Sequence, residues 1–232
     1  MSGWAASCCC WRCSQGHSGR RNRMVSPLSR ISALLLLLAA SHQLGTALLI
    51  QLKAQLAPRL VERAWAQSLA QDGRPVKPWP WADTWPMARL EIPALAESQL
   101  VLAGDTGNVL AFGPGHQRAS AMPGTRGVAV IGGHRDTHFR FLRHIVPGQR
   151  IVVQLASGRA IHYRVVATDI VDASKGGIAI DSGDNLLLLV TCYPFDALSS
   201  DGPLRYRVIA TPEPRQEAFA PSASAGAGRF ML

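Results

Sequence analysis

Residues 150–171 read RIVVQLASGRAIHYRVVATDIV. Two runs rich in Val, Ile and Tyr flank Ala156-Ser157-Gly158-Arg159, so the stretch reads as two strands closed by a tight hairpin. Working outward, similar runs recur upstream as ARLEIP at 88–93, QLVLAG at 99–104 and GVAVIGG at 127–133, and downstream as NLLLLVTC at 185–192 and LRYRVIAT at 204–211. Each has strand length and ends on turn residues. Strands recurring every ~10–20 residues over roughly 125 positions, without internal repeats, predict an all-β domain closed into a small barrel.

Composition allows such a core. The 232-residue chain is 47% apolar and 17% charged, with 15 prolines and 21 glycines, which excludes a globally disordered protein. The net charge of +9 is unevenly spread: residues 1–30 hold five Arg and no acid, whereas residues 86–212 carry 12 basic and 10 acidic side chains. A nearly neutral domain with few aromatic residues lacks the basic face that phosphate neutralisation requires, so nucleic acid is not an expected partner.

Residues 31–50, ISALLLLLAASHQLGTALLI, hold no formal charge over twenty positions, enough to cross a bilayer as a helix. A cleaved signal peptide with Leu34–Ala40 as its apolar core fits the same stretch, although the apolar pattern resumes at Leu48. Arg12, Arg20, Arg21, Arg23 and Arg30 precede the span, and Lys53, Arg59 and Arg63 follow it with Glu62 beside them. The expected topology is therefore a single pass through the inner membrane, with the N-terminus cytoplasmic and the domain periplasmic. Residues 1–30 read as a basic tail containing Cys8, Cys9, Cys10 and Cys13 in no zinc-type spacing, with Met24 an alternative start. Residues 51–85 read as a membrane-proximal spacer helix, broken at Pro58 and ending at Gly73, then a Pro/Trp linker. The β-barrel is expected over 86–212 and a disordered tail over 213–232.

Three constellations fall at strand ends. Gly132-Gly133-His134-Arg135-Asp136-Thr137-His138-Phe139 follows the GVAVI strand, and the glycines are expected to turn the backbone and present His134. Leu189-Val190-Thr191-Cys192-Tyr193-Pro194 ends an apolar strand on the domain's only cysteine, an odd thiol in an oxidising compartment. Leu204-Arg205-Tyr206-Arg207 opens the last strand with both arginines on one face. A thiol nucleophile, an imidazole acid/base and a guanidinium at a developing oxyanion are the components of acyl transfer through a thioester. An amine then completes transpeptidation, and water completes hydrolysis.

Together, GGHRDTHF, LVTCYPF and GPLRYRVIA resemble the sortases, and most closely those of Gram-negative proteobacteria, over roughly residues 75–212. The family's TLxTC pattern is matched by Leu188-Leu189-Val190-Thr191-Cys192 except at its first position, and Gly113-Pro114-Gly115-His116 also looks like a family feature. The resemblance implies an eight-stranded sortase barrel with short helices behind one transmembrane helix. It implies Cys192 as nucleophile, His134 as general acid/base and Arg205 at the oxyanion or substrate, with Arg207 as fallback. Thr191 and Asp136 are expected to support them. The implied substrate is a secreted protein with a C-terminal LPxTG-like signal, joined to an amine, and the segment Asp172–Asp184 is where specificity is expected.

Two rivals fit part of this pattern. An L,D-type peptidoglycan transpeptidase is also exported and β-rich but places His-Gly before its cysteine, where this chain has Val190-Thr191. An anchored β-barrel binding module with an inert Cys192 is the non-enzymatic one. No cofactor or metal is expected: His134 and His138 have zincin spacing, but Arg135 stands where that pattern needs Glu, and Asp169, Asp172, Asp181 and Asp184 are too scattered for calcium.

Overall fold

The strand runs form a closed barrel in the computed structural model, which describes residues 27–176, 185–197 and 202–214. The strands are β1 Pro86–Ile92, β2 Glu97–Ala103, β3 Gly115–His116, β4 Gly127–Gly132, β5 Arg150–Leu155, β6 Ala160–Asp172, β7 Asn185–Cys192 and β8 Leu204–Pro212. Around the barrel the order is β1-β2-β3-β4-β7-β8-β6-β5, with parallel pairs at β2·β3 and β4·β7. The β5–β6 hairpin closes at Ala156–Arg159, where the Leu155 N–H bonds Arg159 O at 2.9 Å.

Alternation gives each strand one face for the interior. Leu90 and Ile92 of β1, Ile151 and Val153 of β5, Leu187 and Leu189 of β7, and Val208 and Ala210 of β8 are all fully buried in one cluster with Phe139, Leu142 and Tyr163. Tyr163 resolves its buried hydroxyl by accepting the Gly124 N–H at 2.6 Å, and burial pushes that phenol's pKa above its ordinary range.

Helix α1 covers Pro27–Ala70, and the chain divides into two units at Gln51–Leu52. In the first unit α1 exposes Leu34–Leu38 and Leu48–Ile50, and it is long and apolar enough to cross a membrane. In the second unit Ala57, Val61, Ala64 and Trp65 are buried, Val61 packs with Leu102 and Val109, and Arg89 of β1 pairs with Glu62 at 2.8 Å. The expected break at Pro58 does not occur: Pro58 lies inside the helix, and Val61, just after it, packs against Leu102 of β2. The C-terminal part of the helix therefore packs on the outside of the barrel. It stops at Ala70, and Gly73, with φ 86°, donates to Ser68 O at 2.9 Å in a left-handed C-terminal cap.

The Pro/Trp segment is also attached. Trp79 joins the Val61 cluster and meets Phe112 edge-on at 5.1 Å, Trp85 packs on the main core, and Trp81 is 82% exposed. The expectations for the tail before Pro27, including its cysteines and Met24, and for the chain after Pro214, together with Asp181 and Asp184, lie outside the described residues.

Candidate active site

Strand β7 runs between β4 and β8, so its last residues are flanked by the ends of both neighbours. Leu187, Leu189 and Thr191 point inward and are buried, which leaves Leu188, Val190 and Cys192 on the outer face. On β8 the inward residues are Val208 and Ala210, so Arg205, Arg207 and Ile209 share the outer face. The antiparallel register puts Cys192 directly opposite Arg205 and Val190 opposite Arg207. Opposed residues of this kind have Cβ atoms about 4.5–5.5 Å apart, so the half-buried, free thiol and the Arg205 side chain start as immediate neighbours.

On the other side, β4 pairs in parallel with β7 as far as Gly132 opposite Val190, and the Gly133 N–H continues to Val190 O at 3.2 Å. Two further residues along each chain are His134 and Cys192, so the parallel register delivers the imidazole loop to the end of the thiol strand. The Thr191 hydroxyl donates to Gly133 O at 2.7 Å and pins the loop there. Thr191 thus points inward and supports the site from behind. His134 itself is exposed, and its carbonyl accepts the Phe139 N–H at 2.9 Å.

The glycines before His134 work differently from the expectation. Neither has a left-handed φ; instead a Cβ on Gly133 would stand 2.9 Å from the Phe139 ring, so its missing side chain admits the buried aromatic beneath the loop. Gly115 of the GPGH segment has a similar cause, since a Cβ there would lie 2.1 Å from Gly104 O. His116 beside it on β3 is buried, with its Nε2 2.9 Å from Ala121 O.

The two arginines have different surroundings. Arg207 donates through Nε to Asp169 Oδ1 at 2.8 Å and through Nη2 to Asp169 Oδ2, a forked pair that holds the Asp169 carboxyl below its ordinary pKa and raises that of Arg207. Arg205 donates through Nη1 to Gly202 O at 2.6 Å and Leu204 O at 2.9 Å, both neutral carbonyls, and among the described residues it has no carboxylate partner.

Asp136 is exposed, and its charge acts on His138, where it favours protonation. Burial outweighs it: burial first, then the neighbouring His134, lowers the His138 pKa, against a hydrogen bond to the Ala111 carbonyl that works the other way. Sequence reasoning missed Arg135. It is buried, and its Nη2 donates to Ala197 O at 2.7 Å, across 62 positions of sequence. Arg143 makes a second link, to Asp196 at 3.3 Å and over the Phe195 ring at 5.1 Å. No local pattern announces these contacts, because their partners are loop carbonyls and a ring brought in by the barrel.

The closed barrel thus brings a thiol, an arginine and a histidine loop together where β7 ends. The sortase domain family matches residues 90–213, and the chain belongs to the sortase family. It is 34% identical over 118 residues to sortase D of Bacillus subtilis, an alignment covering 50% of this chain and 59% of that relative's length. Among solved structures, a sortase D transpeptidase of Clostridium perfringens superposes with TM-score 0.55 at 19% identity, covering 69% of this chain and 99% of that one. Sortase A of Corynebacterium diphtheriae superposes with TM-score 0.52 at 24% identity, covering 60% and 65%. These likenesses bear on the fold, and the matched relatives do not support the closer resemblance to sortases of Gram-negative proteobacteria.

Proposed function

We propose that this protein is a membrane-anchored cysteine transpeptidase that cuts an LPxTG-like sorting signal on a secreted protein and transfers the product to an amine. The observation that carries the reading is the register at the end of β7, with Cys192 opposite Arg205 and the His134 loop hydrogen-bonded to Val190 and Thr191.

The chemistry follows from that arrangement. The Cys192 thiolate attacks the scissile amide carbonyl, and the oxygen gains charge that the Arg205 guanidinium offsets. His134 gives a proton to the departing amine, leaving a thioester on Cys192. The acceptor amine then attacks the thioester, giving its proton to His134 as the thiolate leaves, and a new amide is formed. Arg205 suits the oxyanion role better than Arg207, because Asp169 already engages the Arg207 fork. Val190, half-buried on the outer face of β7 two residues before Cys192, suits contact with the aliphatic part of a sorting signal, whereas its outer-face neighbours Val128, Val130 and Leu188 are buried. The apolar span of α1 would hold the enzyme in the inner membrane with its barrel in the periplasm, where secreted substrates pass.

The test is incubation of the full chain in detergent with LPxTG-like peptides, with and without a small amine, followed by mass spectrometry. An amine-dependent ligated product that Cys192→Ala abolishes supports the reading. Cleavage that is unchanged in Cys192→Ala, or a rapidly alkylated Cys192 with no peptide product, contradicts it.

A further inference from the structure

The His134 loop has little regular structure of its own. Between Gly132 and the 3₁₀ turn Arg140–His144 its backbone makes turns only, yet catalysis by the proposed route needs His134 at a fixed place relative to Cys192. The segment just after Cys192, Tyr193–Ala197, is likewise irregular and is held by the Tyr193 N–H to Leu204 O at 3.0 Å and the Ala197 N–H to Pro194 O at 3.4 Å. Each of these loops carries one catalytic group at its root, and neither belongs to the barrel ladder.

Two guanidiniums join them. Arg135, the residue next to His134, is 7% exposed and donates through Nη2 to Ala197 O at 2.7 Å. Arg143, at the far end of the same segment, reaches Asp196 at 3.3 Å and lies over Phe195, whose ring in turn packs edge-on against Tyr206 of β8 at 5.2 Å. Phe195 and Tyr206 both pack on the main core, so this linkage ties the two loops to the rigid interior. Burying an arginine is costly unless its donors are satisfied, and here the buried group is spent on a carbonyl of the other loop.

We propose that Arg135 is a positioning residue, assisted by Arg143, that clamps the His134 loop to the Tyr193–Ala197 segment and so fixes the imidazole relative to the thiol. This rests on the transpeptidase reading for its consequence in catalysis, while the clamp itself is a property of the two loops. Arg135 touches no reacting atom. Its loss should therefore lower kcat with little change in KM, as expected of a residue that positions the imidazole and does not bind the peptide.

The experiment compares wild type, Arg135→Gln, Arg135→Lys and Arg143→Gln as full chains in detergent, by hydrogen exchange and by peptide turnover. In Arg135→Gln, exchange should rise at least about tenfold in peptides covering 134–139 and 193–197 and stay unchanged in β5 and β6. Its kcat should fall about ten- to a hundredfold with KM within about twofold, Lys should recover part of the loss, and Arg143→Gln should show a smaller change of the same kind. Unchanged exchange in both loops overturns the clamp, and so does exchange rising equally throughout the barrel. Loosened loops with normal kcat overturn the positioning role. If wild type turns over no peptide at all, the transpeptidase reading fails, and local exchange still decides the clamp.

Discussion

The inner and outer faces of β7 and β8 are built from alternate residues of the same two strands and obey different rules. The inner row, Leu187, Leu189, Val208 and Ala210, is wholly buried at the centre of the core, so each position is held by shape and volume. The outer row begins apolar at Leu188 and Val190 and ends on Cys192, opposite Arg205. Packing on one face thus sets the register, and the register sets what meets what on the other. The groups proposed to react sit where the ladder ends, where a side chain can be rooted in the sheet and still face a loop.

This contrast predicts where substitutions act. The largest effect should come from Cys192→Ala, which loses at least about a thousandfold in peptide turnover while its thermal midpoint stays close to wild type, as turnover assays and calorimetry would read. Arg205→Ala should follow, at about a hundred- to a thousandfold in kcat/KM, whereas Arg207→Ala should lose less than about tenfold. Equal losses at the two positions would break the distinction drawn from the Asp169 pair. On the inner face Leu189→Ala should cost about 2–5 kcal/mol in denaturant unfolding, with the active-site chemistry retained in whatever fraction remains folded.

The smallest effects are electrostatic. Asp169 has its pKa lowered by Arg207, so it contributes stability above the ordinary carboxylate range that is lost as pH falls through its folded-state value. The pair is partly exposed, and Asp169→Asn should cost no more than about 1 kcal/mol near neutral pH. His138 is also shifted downward, by burial and then by His134. Its unfolded form takes up a proton at about pH 6.5 while the folded form resists, so stability should decline as pH falls below that value and level off beneath the folded-state pKa. Melting curves from pH 7 to 5 should show this slope, and His138→Gln should flatten it.

Much of the barrel was legible because β-branched runs alternate with turn residues, and alternation is a local property. Strand β3 was not, since Gly115–His116 is two residues long and exists only through pairing with Leu102 and Gly132. The packing of α1 on the barrel was equally invisible: Pro58 suggests a break, yet the residues after it are held by Val61 on Leu102, buried Ala64 and Trp65, and the Glu62–Arg89 pair. At the candidate site, residue chemistry singled out Cys192, His134 and the Arg205/Arg207 pair. The preference for Arg205 over Arg207 rested on the resemblance alone, and a physical reason for it needed the register to β7 and the position of Asp169 on β6. Arg135 was out of reach, because an arginine reads as a surface residue until its carbonyl partner is known.

The most direct measurement is the mass of the Cys192-containing peptide after rapid acid quenching of the full chain with an LPxTG-like substrate and no amine. The proposed route predicts a thioester adduct on Cys192 that disappears when an amine is added, persists at lower yield in Arg207→Ala and is lost in Arg205→Ala. Substrate cleavage without any adduct on Cys192, or an adduct formed equally well in Arg205→Ala, would contradict it.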